Sequence, residues 1–300
     1  MREGLAIIDC HHHLWDLRAN YYPWLTDRIG MQVCGDYAAI RKNYLLADFF
    51  RDGAGLRLVK SVHVQAEHDH ADPVRETRWL QAIADRPESR GFPHAIVAYA
   101  DLAAPGVEGV LEAHCQFRNV RGIRQLLHEG FLDPAHPHPS PLEDPTWREN
   151  LGRLRRFGLS FDLQVFPQQM LQAASLVREH PSLQFILVHT GQPIRRDADG
   201  LEQWRRGMRD LAACPNVCAK ISGLGMFDRQ WTVGSLRPFV LDTIDFFGPA
   251  RCMFGSNFPV DSMMSTYRNL WQAYATLTAA FSGDEQRMLF AETAQRVYRL

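Results

Sequence analysis

The feature that most constrains this chain is a repeated order: a short apolar run rich in β-branched residues, then a longer stretch of helical spacing, continuing to the C-terminus. Eight such runs occur, at 6–10, 59–66, 95–100, 120–127, 159–165, 183–189, 217–222 and 252–256. Near-continuous apolar character is what strands buried on both faces require. Between the runs lie crossover-helix patterns. In 72–85, Val74, Thr77, Leu80, Ala82 and Ile83 fall near one face, whereas Arg75, Glu76, Arg78 and Asp85 fall largely off it. Eight strand–helix units in 300 residues match an α/β fold of the closed (β/α)8 TIM-barrel type, which takes about 250 residues. An open dinucleotide-binding sheet would place a glycine-rich turn after the first strand. Here that strand runs into Asp9-Cys10-His11-His12-His13 without a glycine.

Two insertions interrupt the rhythm. Residues 14–48, carrying Trp15, Tyr21, Tyr22, Pro23 and Trp24, follow strand 1 and are expected over the strand C-terminal ends; residues 128–145 carry His136 and His138 between prolines. Both read as lids rather than Gly/Ser linkers, so 1–300 is expected to be a single domain. The aromatic residues of the first insertion suit a substrate mouth or a subunit contact, which leaves a homo-oligomer open.

Composition narrows the partners. With 46% hydrophobic and 22% charged residues the chain can bury a core. The 33 basic and 34 acidic side chains leave a net charge of −1 without a basic block, which argues against nucleic acid. No apolar run reaches the roughly 18 residues that span a bilayer, and 1–8 is too short for a signal peptide, so a cytoplasmic protein with no membrane partner is expected. Six scattered cysteines without a CxxC pair suit reduced thiols.

In a barrel the chemistry sits at the strand C-terminal ends. These ends carry His11, His12 and His13; His63, Gln65 and Glu67; Arg121 and Arg124; Gln164; His189; Lys220 and Ser222; and Asn257, with Asp261 just beyond. Alternation points His11 and His13 to one side and His12 to the other. Converging imidazoles suit zinc or a similar metal; a strand end with satisfied histidines would give the same letters. Arg121 and Arg124 point to opposite faces, so one at most reaches the lumen. Glu67 is open between ligand, proton shuttle and helix N-cap region. Lys220 could assist anion binding, but pairing with Asp9 or Glu67 is expected first. Ser222, Cys214 and Cys218 have no visible partner that would make them nucleophiles.

The run Ile7-Ile8-Asp9-Cys10-His11-His12-His13-Leu14-Trp15-Asp16 resembles the start of the amidohydrolase superfamily, in particular its amidohydrolase-2 branch. So do Val62-His63-Val64-Gln65-Ala66-Glu67, Val120-Arg121-Gly122-Ile123-Arg124, His189-Thr190-Gly191-Gln192-Pro193, Lys220-Ile221-Ser222-Gly223-Leu224 and the segment from Met253 to Asp261. The branch holds sugar-lactone and pyrone-dicarboxylate lactonases and some metal-dependent decarboxylases. The resemblance implies that His11, His13 and His189 are catalytic and bind a metal, and that Arg124 holds a substrate carboxylate. Gln65, Gln164, Asn257 and Trp15 would complete the substrate contacts. One residue departs from the pattern: the strand-8 position that usually carries Asp is Asn257, a neutral amide that cannot act as a base. The implied cofactor is therefore a divalent metal, zinc first, or none, with Asp261 or Glu67 taking the water proton. The expected function is hydrolysis of a small, anionic lactone or related ester. Alternatives are a decarboxylase of the same superfamily and a barrel that binds small molecules without turnover.

Overall fold

The computed structural model describes residues 4–27, 35–127 and 141–300. Eight parallel strands pair in sequence order: β1 (Ile7–His12), β2 (Leu58–Val64), β3 (Ala95–Ala98), β4 (Val120–Leu126), β5 (Ser160–Gln164), β6 (Phe185–Leu187), β7 (Val217–Ile221) and β8 (Cys252–Phe254). The loop after β8 brings the last strand back to the first. Asn257 N–H donates to the His11 carbonyl and His13 N–H to the Phe258 carbonyl, both at 2.7 Å. Helices cross over the outside, among them Pro73–Ala84, which has proline in its first turn where no N–H is needed. Its bounds follow the apolar pattern of 72–85. No helix among the described residues is long and apolar enough to cross a membrane.

Two apolar layers hold the barrel. Ile8, Cys10, Val62, Val64, Val97, Ile186, Cys218 and Met253 fill the lumen, floored by Val297 and Tyr298 at the end of the C-terminal helix Thr293–Val297. Leu80, Leu111, Trp147, Phe161, Trp204 and Trp271 pack between strands and helices. The floor also holds a buried ion pair. Lys220 Nζ lies 2.7 Å from Asp162, and the Tyr298 hydroxyl donates to both Asp162 oxygens at 2.9 and 3.1 Å. This corrects the expected pairing of Lys220 with Asp9 or Glu67. Phe161 and Leu163 face outward, so Asp162 faces inward on β5, and only β6 separates it from Lys220 on β7. Asp9 instead points outside, accepting from Ser256 Oγ at 2.6 Å and Tyr267 at 3.0 Å.

β1 contains the irregularity that builds the site. Its pairing with β2 runs Asp9 with Ser61 and then His12 with His63, three residues against two, so one extra residue is accommodated. Strict alternation from inward Ile8 and Cys10 would turn His12 into the lumen and His11 and His13 out. The bulge reverses this. His12 stacks on Phe49 outside the barrel at 4.2 Å and meets Ser61 Oγ at 2.9 Å, leaving His11 and His13 to face inward. His63 also lies outside, its ring toward the Leu14 carbonyl at 3.3 Å, and burial pulls its pKa down to about 3.

The first insertion packs over the β2 end. The Trp24 indole donates to the Ala66 carbonyl at 2.7 Å, and Trp24 stands edge-on to Trp15 at 5.6 Å. Residues 28–34 of that insertion, and 128–140 of the second with His136 and His138, lie outside the described residues.

Candidate active site

Three imidazoles meet at the C-terminal end of the lumen. The His11 ring centroid lies 5.0 Å from that of His13 and 4.4 Å from that of His189. His13 Nδ1 lies 2.7 Å from the Val64 carbonyl; a carbonyl only accepts, so Nδ1 carries the proton and Nε2 is the bare acceptor. Both ring nitrogens of His11 are buried without a hydrogen-bond partner among the described residues. Burial first, then the neighbouring His189, Lys220 and His13, holds the His11 pKa well below the usual histidine range. His13 is lowered in the same way by burial and by Arg124. Both rings are neutral at pH 7.

His189 arrives by an unusual backbone. It opens a left-handed turn in which His189, Thr190, Gly191 and Gln192 have φ of 53°, 55°, 66° and 51°. Each non-glycine residue in that region costs about 1–2 kcal/mol. The Trp204 indole holds the turn by donating to the Thr190 carbonyl at 2.7 Å. The Gln192 amide is fully buried, with neither its nitrogen nor its oxygen partnered among the described residues. Ser222, not expected to be a nucleophile, brings its Oγ to 2.9 Å from His189 Nδ1. The two lie 33 residues apart on neighbouring strand ends, a proximity that only the fold reveals.

Arg124 is 5% exposed and reaches the lumen from β4. Its Nη1 donates to Gln164 Oε1 at 2.9 Å and its Nη2 to the Gln65 carbonyl at 2.5 Å, while Nε has no partner among the described residues. Arg121, half-buried, donates to the carbonyls of Arg118 and Val120, so the expected division between the two arginines holds. Gln164 therefore orients Arg124. The Gln65 side chain is committed to Glu67, accepting from its backbone N–H at 2.6 Å and donating to its carboxylate. Glu67 itself (φ 54°) lies in a loop short of the next helix and caps nothing. Burial alone would raise its pKa, but hydrogen bonds from His70 and Gln65 and the charges of His70 and Arg124 outweigh burial and keep it an anion. Trp15 is fully buried and donates to the Lys42 carbonyl at 2.7 Å, so it forms a wall behind His13 rather than a polar contact.

Asn257 and Asp261 meet where the β8 loop turns back, Asp261 N–H donating to the Asn257 carbonyl at 3.1 Å. Burial raises the Asp261 pKa to about 8, opposed by the Asn257 amide and the Gly223 backbone. Asn257 Nδ2 and Asp261 Oδ1 still lack a hydrogen bond of normal geometry with any described residue.

The family model described as "Amidohydrolase" matches residues 8–300. The chain belongs to the amidohydrolase family. An uncharacterised protein of Sinorhizobium fredii is 45% identical over 298 residues, covering 99% of each chain. An L-fucono-1,5-lactonase of Burkholderia multivorans is 30% identical, covering 99% of this chain and 97% of its own. A crystal structure of a Burkholderia multivorans amidohydrolase with bound zinc superposes with a TM-score of 0.80 at 25% identity, covering 98% of this chain and 99% of that one. This amidohydrolase is a hydrolytic enzyme on a TIM barrel.

Whether its residues suit a resident metal turns on the donor set. Three imidazoles converge, those of His11 and His13 neutral, but the position that would add an anion is the Asn257 amide, and Asp261 keeps its proton to about pH 8. Among the described residues no group of three or more His, Cys, Asp or Glu side chains is arranged to hold a metal ion. Three imidazoles are a donor type that suits zinc, so His11, His13 and His189 match the metal in chemistry, but among the described residues they do not stand as a group arranged to hold it.

Proposed function

We propose that this amidohydrolase hydrolyses a small anionic lactone at the mouth of the barrel. The observation that carries the reading is Arg124, a buried guanidinium with a free Nε and no carboxylate in ion-pair contact among the described residues. A buried cation without a bonded counter-ion is costly, and a substrate carboxylate relieves that cost through planar, paired hydrogen bonds. The lactonase among its relatives supports lactone opening in general; the anionic character rests on Arg124.

In this reading Gln164 and the Gln65 carbonyl aim Arg124 at the carboxylate, which places the ring carbonyl among the imidazoles. His11 and His13, kept neutral by burial, offer bare ring nitrogens to a water, and one of them takes its proton as it attacks the carbonyl carbon; the acyl–oxygen bond of the ring then breaks and the leaving oxygen takes that proton back from the imidazolium. Asp261, protonated at neutral pH, is an acid there rather than the base. Glu67, already an anion held by His70 and Gln65, balances Arg124 at a distance.

A panel of neutral and carboxylated five- and six-membered lactones, followed by release of acid, tests the proposal. Ring-opened acid from carboxylated lactones supports it. Release of CO2 without ring opening marks a decarboxylase. Thermal stabilisation by lactones without turnover marks a binding barrel.

A further inference from the structure

We propose that Ser222 is a positioning residue of this site: its Oγ accepts the Nδ1–H of His189 and so fixes the tautomer in which Nε2 is unprotonated. The bond is 2.9 Å long between two side chains that are 0% and 2% exposed, where little water competes for either group. This is the only hydrogen bond of the Ser222 hydroxyl among the described residues.

The backbone around the pair is built to hold the ring against this hydroxyl. β6 and β7 are neighbours, Leu187 pairing with Ala219, so His189 and Ser222 leave adjacent strand ends. After Ser222 the chain turns at Gly223 with φ of 64°; a Cβ there would lie 2.5 Å from His189 Nδ1. The imidazole edge thus rests on the Ser222–Gly223 backbone with no space for a side chain between. His189 itself is held at φ 53°, a conformation that persists only where the surroundings over-determine it. Strain on one partner, a missing side chain on the other and a hydrogen bond between them fix one ring orientation.

The proposed direction matches that of a neighbouring histidine. The Val64 carbonyl forces Nδ1–H on His13 and leaves its Nε2 unprotonated. With Nδ1–H donated to Ser222, the Nε2 of His189 is unprotonated as well. Orienting partners of this kind usually change activity by about 10- to 100-fold when removed.

The catalytic part of this inference rests on the lactonase reading, and the experiment separates the two. The purified full-length protein, labelled with 15N-histidine, is compared with its Ser222→Ala and Ser222→Thr variants, the His189 signals being assigned by their loss in His189→Gln. The expected wild-type spectrum has a protonated Nδ1 and an unprotonated Nε2 for His189. Ser222→Ala loses that single tautomer, and kcat on a carboxylated lactone falls about 10-fold or more while KM changes less than about threefold. Ser222→Thr, which retains the hydroxyl, keeps both. A wild-type His189 protonated at Nε2 overturns the proposal, even should Ser222→Ala fail to fold. So does a Ser222→Ala protein with unchanged tautomer and kcat. If no lactone is turned over but the tautomer depends on Ser222, the positioning role stands and the lactonase reading falls.

Discussion

A buried imidazole protonates only at low pH, because the interior penalises its charged form. His11 and His13 are both in this state, so the acidic limb of the kcat/KM profile is expected well below pH 6.5. A half-loss of activity near 6.5, as for solvent-exposed histidine, would contradict their role as the neutral acceptors. Asp261 has the opposite displacement, its pKa rising from 3.8 to about 8. The native state then keeps a proton that the unfolded chain releases. Wild-type stability contributed by this group is complete below about pH 3.8 and is lost as pH rises to about 8. Asp261→Asn removes that loss, so its Tm advantage over wild type should grow between pH 4 and pH 8; an advantage independent of pH would show that the carboxyl is not desolvated. His11, His13, His189 and Arg124 were legible in the sequence because strand ends carry chemistry in this architecture. Ser222 was not, since its significance depends on a ring 33 residues away. Nor was the outward placement of His63, which turns on which face of β2 lines the lumen.

At the level of elements, the apolar runs located all eight strands, with at least one end displaced by one or more residues in every one. β6 was expected over 183–189 and β8 over 252–256, whereas the paired segments are Phe185–Leu187 and Cys252–Phe254. Apolar character continues past the last ladder hydrogen bond because the chain stays buried as it enters the site. The β1 bulge left no signature in the letters, yet it sends His11 and His13 inward. It is supported from β8 by Gly255, where a Cβ would lie 2.7 Å from His11 Cβ and 3.0 Å from the His11 nitrogen. Gly255→Ala should therefore destabilise the fold by about 1–3 kcal/mol, as overpacking does, and lower kcat by displacing His11. Urea unfolding with parallel kinetics checks this, and a variant with wild-type stability and kcat would show that β1 yields without cost.

On the scale of the whole molecule, the barrel is tied through its lumen by Lys220, Asp162 and Tyr298, which join β7, β5 and the C-terminal helix. Lys220→Ala leaves the Asp162 charge buried and unpaired, so denaturant unfolding should show a loss of about 3–5 kcal/mol, with the double replacement Lys220→Met, Asp162→Leu losing much less. Equal losses in the two proteins would mean that the pair is not dry. Above this floor the lumen opens to the imidazoles and to Arg124, the buried cation proposed to select an anionic lactone. The decisive experiment compares kcat/KM for a carboxylated lactone and its neutral counterpart, in wild type and in Arg124→Met. Wild type is expected to prefer the carboxylated lactone, and the preference to disappear in the variant, mainly through KM. The same preference in both proteins, or no hydrolysis of either lactone by wild type, would contradict the proposal.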